Sequence, residues 1–264
     1  MTRAKAVASR YKTRLYKNYD KLLSDVEAVV IAAPAKFHGE MALRALRANC
    51  HTLIEKPIAA SLAEAQQIVS VAQQKDLTVQ VGHQERFVIK AIGLDKVPEK
   101  PIRITGHRRN SYSLRGTDVS ATLDLMTHDI DLVIWLMGES PVNISGESIV
   151  IRSGQPDAAF CHMIFSDDRR ALIEASRVEE VGSRMMTITY PSGDVNIDFN
   201  AKTLNHDTSF DLDANFSENP IARDSLGAAT NAFVEALLDG KPVPVTGGHG
   251  LRALRTALEI DGEV

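Results

Sequence analysis

VEAVVIAAPAKFHGEMALRALRANCHTLIEKP, residues 26–57, is the stretch on which the fold turns. Residues 26–33 form a continuous, largely apolar run of strand length, closed by Pro34. Apolar character that does not alternate suits a strand buried on both faces of a parallel sheet. Residues 37–49 read as a helix with Met41, Leu43, Ala45 and Leu46 turned inward. Residues 51–54 are a second short strand, ended by Glu55-Lys56-Pro57. Ser61 then caps a helix, with Glu64 three residues on in the pattern of a capping box. That helix runs to about Lys75, and a third strand, 78–81, follows and stops at Gly82. Strand, helix, strand, helix, strand is the grammar of a doubly wound α/β sheet.

Working outward, residues 1–11 and 20–25 read as short helices. Residues 1–21 carry Arg3, Lys5, Arg10, Lys12, Arg14, Lys17 and Lys21 against a single acid, Asp20. A mitochondrial transit peptide has that balance. The segment runs straight into a strand, however, and an exposed basic helix face is the expectation. Beyond residues 84–87 the character changes. A Pro-rich loop at 98–101 leads to a strand at 102–106, a helix at 122–138, and alternating runs at 142–151, 158–165, 171–177, 185–190 and 195–199. Tyr190-Pro191-Ser192-Gly193-Asp194 marks a hairpin turn. Alternation implies an antiparallel sheet with one face covered and one open. Residues 225–239 and 250–259 are closing amphipathic helices. The expected fold class is α/β: an incomplete nucleotide-type parallel sheet in residues 1–86, then an α+β domain with a largely antiparallel open sheet in residues 87–264.

The totals exclude more than they select. With 264 residues, 44% hydrophobic and 24% charged, the chain can bury a substantial core. Net charge is −4, which gives no general attraction to nucleic acid or membrane. No apolar run approaches the roughly 20 residues of a membrane span, and no signal-peptide core opens the chain. Cys50 and Cys161 read as two reduced, buried thiols of a cytoplasmic protein.

The chemistry concentrates in TLDLMTHDIDLVIWLMG, residues 122–138. On an α-helix Asp124, Thr127, His128 and Asp131 fall at i, i+3, i+4 and i+7 and share one stripe. Almost everything else there is apolar, so the helix is expected to lie buried, its polar stripe facing a cleft between the two halves. His128 has the side chain suited to proton transfer near neutral pH, and Asp124 stands one turn earlier on the same face. Asp129 points the other way and is expected to be structural, paired with backbone or an arginine. Lys56 stands at the carboxyl end of a strand, where open parallel sheets bind ligands, and Pro57 holds it extended. Arg86, Lys90, Arg103, His107, Arg108, Arg109 and Arg115 suggest a clamp for an anionic group such as phosphate. Asp124, His128 and Asp131 as ligands of a hydrolytic metal is the weakest alternative, since no further ligands are evident.

The segments PAKFHGEMALRALRANCHTLIEKP, VGHQERF and TLDLMTHDIDLVIWLMG resemble the Gfo/Idh/MocA family of NAD(P)-dependent sugar oxidoreductases. The wording VGHQERF and RGTDVSATLDLMTHDID is most similar to its branch acting on nucleotide-linked amino sugars, of the UDP-N-acetylglucosamine 3-dehydrogenase kind. The resemblance implies a Rossmann domain, followed by a domain whose open sheet serves oligomerisation, as a dimer or tetramer. It implies Lys56, Asp124 and His128 as the catalytic set. It places Ala33, Pro34, His38, Glu55, Lys56, Pro57 and Gln84 at the NAD or NADP site. Arg86, Arg109, Arg115 and Asp124 would then hold a sugar or nucleotide-sugar. One feature departs from the family: no G-x-G-x-x-G turn occurs in the chain, and the chain reads as beginning in the helix after the family's second strand. A fragment of a longer enzyme, or a remnant that binds sugar or a partner subunit without cofactor, would each account for this.

Overall fold

A computed structural model describes residues 2–114 and 116–263. Helices α1 (Thr2–Arg10) and α2 (Tyr19–Leu23) lead into β1 (Ala28–Ile31), α3 (His38–Arg47), β2 (His51–Ile54), α4 (Leu62–Gln74) and β3 (Val79–Val81). The three strands pair in the order β1-β2-β3, both pairs parallel. β2 and β3 carry almost wholly buried side chains, as non-alternating strands between helical layers should. Ser61 caps α4 by accepting from the Glu64 amide. The Glu64 carboxylate bonds the Ser61 hydroxyl. The basic residues Arg3, Lys5 and Arg10 of α1 are exposed, as the charge pattern implied.

Next come α5 (Glu85–Ile92), β4 (Arg103–Arg109), α6 (Thr127–Met137), β5 (Asn143–Ile149), β6 (Ala158–Ile164), β7 (Arg170–Ser176), β8 (Ser183–Tyr190), β9 (Gly193–Asp198) and β10 (Thr203–His206). The strands form one sheet in the order β10-β9-β8-β4-β7-β6-β5. Every pair is antiparallel except β4 with β7. The expected hairpin is present, with Tyr190 paired to Gly193 across Pro191-Ser192. The chain closes with α7 (Pro220–Arg223), α8 (Ser225–Asp239) and α9 (Gly247–Ile260). α6 and α9 cover one face of the large sheet, and α9 also packs on α4 and β3. The opposite face of that sheet is open, with Phe160 and Leu172 about half exposed.

The segment before α6 departs from the regular helix expected there. Residues Thr122–Met126 form a single wide π-turn. Such a turn leaves carbonyls in need of donors. The Thr127 hydroxyl serves the carbonyls of Thr122 and Leu123, each at 2.9 Å, and the Lys56 ammonium takes that of Asp124. α6 itself is buried nearly all round, so its acids need partners inside the protein. Asp129 receives a two-pronged contact from Arg108, 3.0 Å on each arm. That agrees with its expected structural role.

Candidate active site

A cleft of about 670 Å³ opens at the carboxyl ends of β1 and β2. One wall is the small apolar trio Ala32, Ala33 and Ala35. Glu55, Lys56 and Gln84 form the sheet-end side, and Asp124 and His128 face them from the π-turn and α6. A third side is the loop after β4, through Asn110, Ser113, Gly116, Asp118 and Val119. His38 and Pro57 also line the cleft. The fold therefore gathers Ala33, His38, Glu55, Lys56, Pro57, Gln84, Asp124 and His128 in one place. Pro34 sits between two lining residues and caps the short 3-10 turn Ala35–Phe37.

Lys56 links the two halves of the site. Its ammonium contacts Asp124 Oδ1 at 3.0 Å as well as the Asp124 carbonyl. The side chains are 15% and 30% exposed, so the pair keeps a face toward the cleft. His38 lies beneath, its ring nitrogens 2.8 Å from the Ala33 carbonyl and 2.7 Å from that of Pro57. It clasps the end of β1 to the segment after β2. Glu55 lies against Gly82, where an added Cβ would come within 2.8 Å of its carboxylate. Burial raises the Glu55 pKa, opposed by Lys56 and His38.

The partner of His128 is Glu85, which the sequence reading did not single out. His128 Nδ1 stands 2.6 Å from Glu85 Oε2. Glu85 is 4% exposed and sits between Arg184, at 3.1 Å, and Arg108, at 3.7 Å. Burial pushes its carboxyl upward, but His128, Arg184 and Arg108 together hold it well below the usual range. Burial also drives the His128 pKa well below 6.5, helped by Lys56 and Arg108 and opposed by Glu85. The stable arrangement is a neutral imidazole donating Nδ1–H to a carboxylate, with Nε2 left for the cleft. Asp124 does not orient the ring, because it is engaged with Lys56. Nothing in the composition of VGHQERF marks Glu85 as special. Its role follows only from the docking of α5 beside α6.

His83 is 1% exposed and stands edge-on to His128, with ring centroids 6.5 Å apart. Burial lowers its pKa as well. These depressed imidazoles have a thermodynamic consequence. Between their folded pKa values and 6.5 the unfolded chain binds protons that the folded chain does not. Stability therefore falls as pH drops below 6.5, the unfolded value. Denaturant midpoints should decrease from pH 7 to pH 5, and a His83→Leu variant should lose less over that interval. An unchanged midpoint in the wild type would contradict the neutral assignment.

Among the described residues the expected anionic clamp is not assembled. Arg86 is 2% exposed and makes a bidentate pair with Asp131, 2.7 and 2.6 Å, away from the cleft. That pair also removes Asp131 from the polar stripe. Arg109 lies on the open face of the large sheet against Glu174. His107 faces Ser183 there at 2.6 Å. Arg108 is committed to Asp129 and Glu85. Arg115 lies outside the described residues. Among the described residues no cluster of three or more His, Cys, Asp or Glu is arranged to hold a metal ion. Cys50 and Cys161 are free, buried thiols. No helix among the described residues is long and apolar enough to cross a membrane.

Residues 1–83 match the family model described as "Oxidoreductase family, NAD-binding Rossmann fold", and residues 96–195 match the GFO/IDH/MocA C-terminal domain. UDP-N-acetylglucosamine 3-dehydrogenase of Acidithiobacillus ferrooxidans is 28% identical, over 98% of this chain and 85% of the relative. The solved structure of that enzyme superposes with a TM-score of 0.89 at 30% identity, covering all of this chain and 86% of the other. Inositol 2-dehydrogenase of Salmonella paratyphi B is 28% identical over 52% of this chain and 44% of its own length. The chain belongs to the Gfo/Idh/MocA family of oxidoreductases with an NAD-binding Rossmann fold.

Proposed function

We propose that this chain transfers a hydride between NAD(P) and a hydroxyl-bearing carbon of a sugar or nucleotide-sugar, in the cleft built by Lys56, Asp124 and His128. The observation that carries the reading is the convergence of a lysine ammonium, a carboxylate and a neutral histidine at the carboxyl ends of parallel strands. The cleft suits a nicotinamide ring: small apolar side chains on one wall and Glu55, Lys56 and Gln84 around it. Ala33, Pro34, His38, Glu55, Lys56, Pro57 and Gln84 are the residues assigned to it. A bound nicotinamide supplies one thing, an acceptor for the hydride. The rest falls to the chain. His128 Nε2 takes the hydroxyl proton as the C–H bond breaks, and Glu85 holds the tautomer that leaves Nε2 free. The Lys56 ammonium stabilises the negative charge developing on that oxygen. Asp124 fixes Lys56 and accepts a neighbouring hydroxyl of the sugar.

The nucleotide-linked amino sugar class is proposed from the likeness to the Acidithiobacillus enzyme. We place the division between the cofactor and substrate domains at residues 86/87, the protein in the cytoplasm, and the chain in a dimer or tetramer formed through the open sheet face around Phe160 and Leu172. A second reading is a chain that binds sugar or a sibling subunit without cofactor. Titrating the 264-residue chain with NADH and NADPH separates the two. Saturable quenching of protein or nicotinamide fluorescence is expected. Its absence at millimolar cofactor would overturn the enzymatic reading for this chain.

A further inference from the structure

Arg177, just past the end of β7, is 3% exposed and lies outside the cleft. All five of its donor hydrogens are used. Nε meets Asp157 Oδ1 at 2.9 Å, and one terminal nitrogen meets the Ser153 hydroxyl at 3.1 Å and the Pro156 carbonyl at 3.0 Å. The other reaches forward to the carbonyls of Gly116, at 2.8 Å, and Val119, at 3.0 Å. Asp157, fully buried, is fixed in turn: its Oδ2 accepts from the backbone amides of Ile151, Arg152 and Ser153 at 3.0, 2.6 and 2.8 Å. A buried arginine whose fork is shared between a locked carboxylate and two loop carbonyls is a rigid peg.

The loop it pegs is the third wall of the cleft. Gly116, at φ +80°, lies so close to Asp124 that an added Cβ would fall 2.4 Å from its Oδ2. Val119 and Asp118 of the same stretch line the cleft. The far end is tied separately, by the Ser120 and Thr122 hydroxyls to the Asp261 carboxylate at 2.5 and 2.6 Å. Without Arg177 the carbonyls of Gly116 and Val119 would lose the guanidinium that donates to them, and the segment between them its hold against Asp124.

We propose that Arg177 is a positioning residue: locked by Asp157, it holds residues 116–119 against Asp124 and so sets the wall of the sugar subsite. The subsite assignment rests on the hydride-transfer reading above, whereas the pegging of the loop does not. Arg177→Lys keeps a charge beside Asp157 but offers three donors on a flexible stem, too few for the five contacts. The test measures two things in that variant. Amide hydrogen exchange of 116–119 is expected to rise, and KM for the sugar to rise roughly ten- to hundredfold. NADH affinity, read at the other walls of the cleft, is expected to stay within about twofold and kcat to change less than KM. Wild-type exchange in 116–119, or unchanged sugar KM in a variant of an active wild type, would overturn the proposal. A wild type that turns over no sugar would defeat the hydride-transfer reading instead, and the exchange measurement would still decide the peg. If Arg177→Lys fails to fold, Gly116→Ala leaves the Arg177–Asp157 pair intact and drives a methyl onto the Asp124 carboxylate. It is expected to lower kcat/KM for the sugar by a similar factor, and an unchanged value would overturn the proposal.

Discussion

Replacing His128 by asparagine is expected to lower kcat for sugar oxidation by about 10²–10⁴-fold, the usual range for losing a positioned general base. The ring is 7% exposed and fixed through Nδ1 by Glu85, so asparagine fits the space but offers no proton acceptor of suitable basicity at Nε2. Cofactor affinity should change little, since the ring contributes one edge of a cleft with many other walls. Lys56→Ala is expected to act differently. It removes the ammonium that both supports charge on the reacting oxygen and donates to the Asp124 carbonyl and carboxylate. Both kcat and the pH dependence should therefore change. Steady-state kinetics with saturating cofactor check both variants, and undiminished turnover in either would remove that residue from the mechanism.

The second large effect is on stability. Arg86 and Asp131 form a bidentate pair in which both residues are 2% exposed. Asp131→Ala strands a buried guanidinium and is expected to cost about 3–5 kcal/mol in urea unfolding. Removing both partners, as Arg86→Met with Asp131→Leu, should recover most of that loss, because neither charge is then left unpaired. A single-variant cost below about 1 kcal/mol would mean that the pair is not closed as described. The experiment also separates the two readings of the polar stripe. A stability loss in Asp131→Ala together with normal kcat in the double variant identifies Asp131 as structural, while a large kcat loss in the double variant would return it to the cleft.

What the sequence disclosed depended on how local the determinant was. β2 fell where the apolar run 51–54 and its terminating Pro57 placed it, and α4 began at Ser61 because a side-chain cap is a short-range event. The pairing of Lys56 with Asp124 across 68 residues was reached through the resemblance, and the geometry agrees with it. Four features were not legible. The π-turn at Thr122–Met126 is invisible to a 3.6-residue period, because its carbonyls are served by Thr127 and by Lys56 from another element. Glu85 looked like one charge in a mixed run, and α5, on which it sits, was not anticipated. The arginines near β4 looked like one basic patch. A strand sends alternate side chains to opposite faces, so Arg108 went inward to Asp129 while Arg109 went to the open face with Glu174. The parallel pairing of β4 with β7 likewise needs a long crossover that no local pattern encodes.

The central claim is that hydride moves in this cleft. Incubating the chain with NAD(P)+ and a sugar or UDP-sugar deuterated at every ring carbon, then weighing the nicotinamide product by mass spectrometry, tests that directly. One deuterium is expected in the reduced nicotinamide, strongly diminished in His128→Asn and in Lys56→Ala. A nicotinamide that stays unlabelled with the wild-type chain, or label that appears equally in both variants, would contradict it.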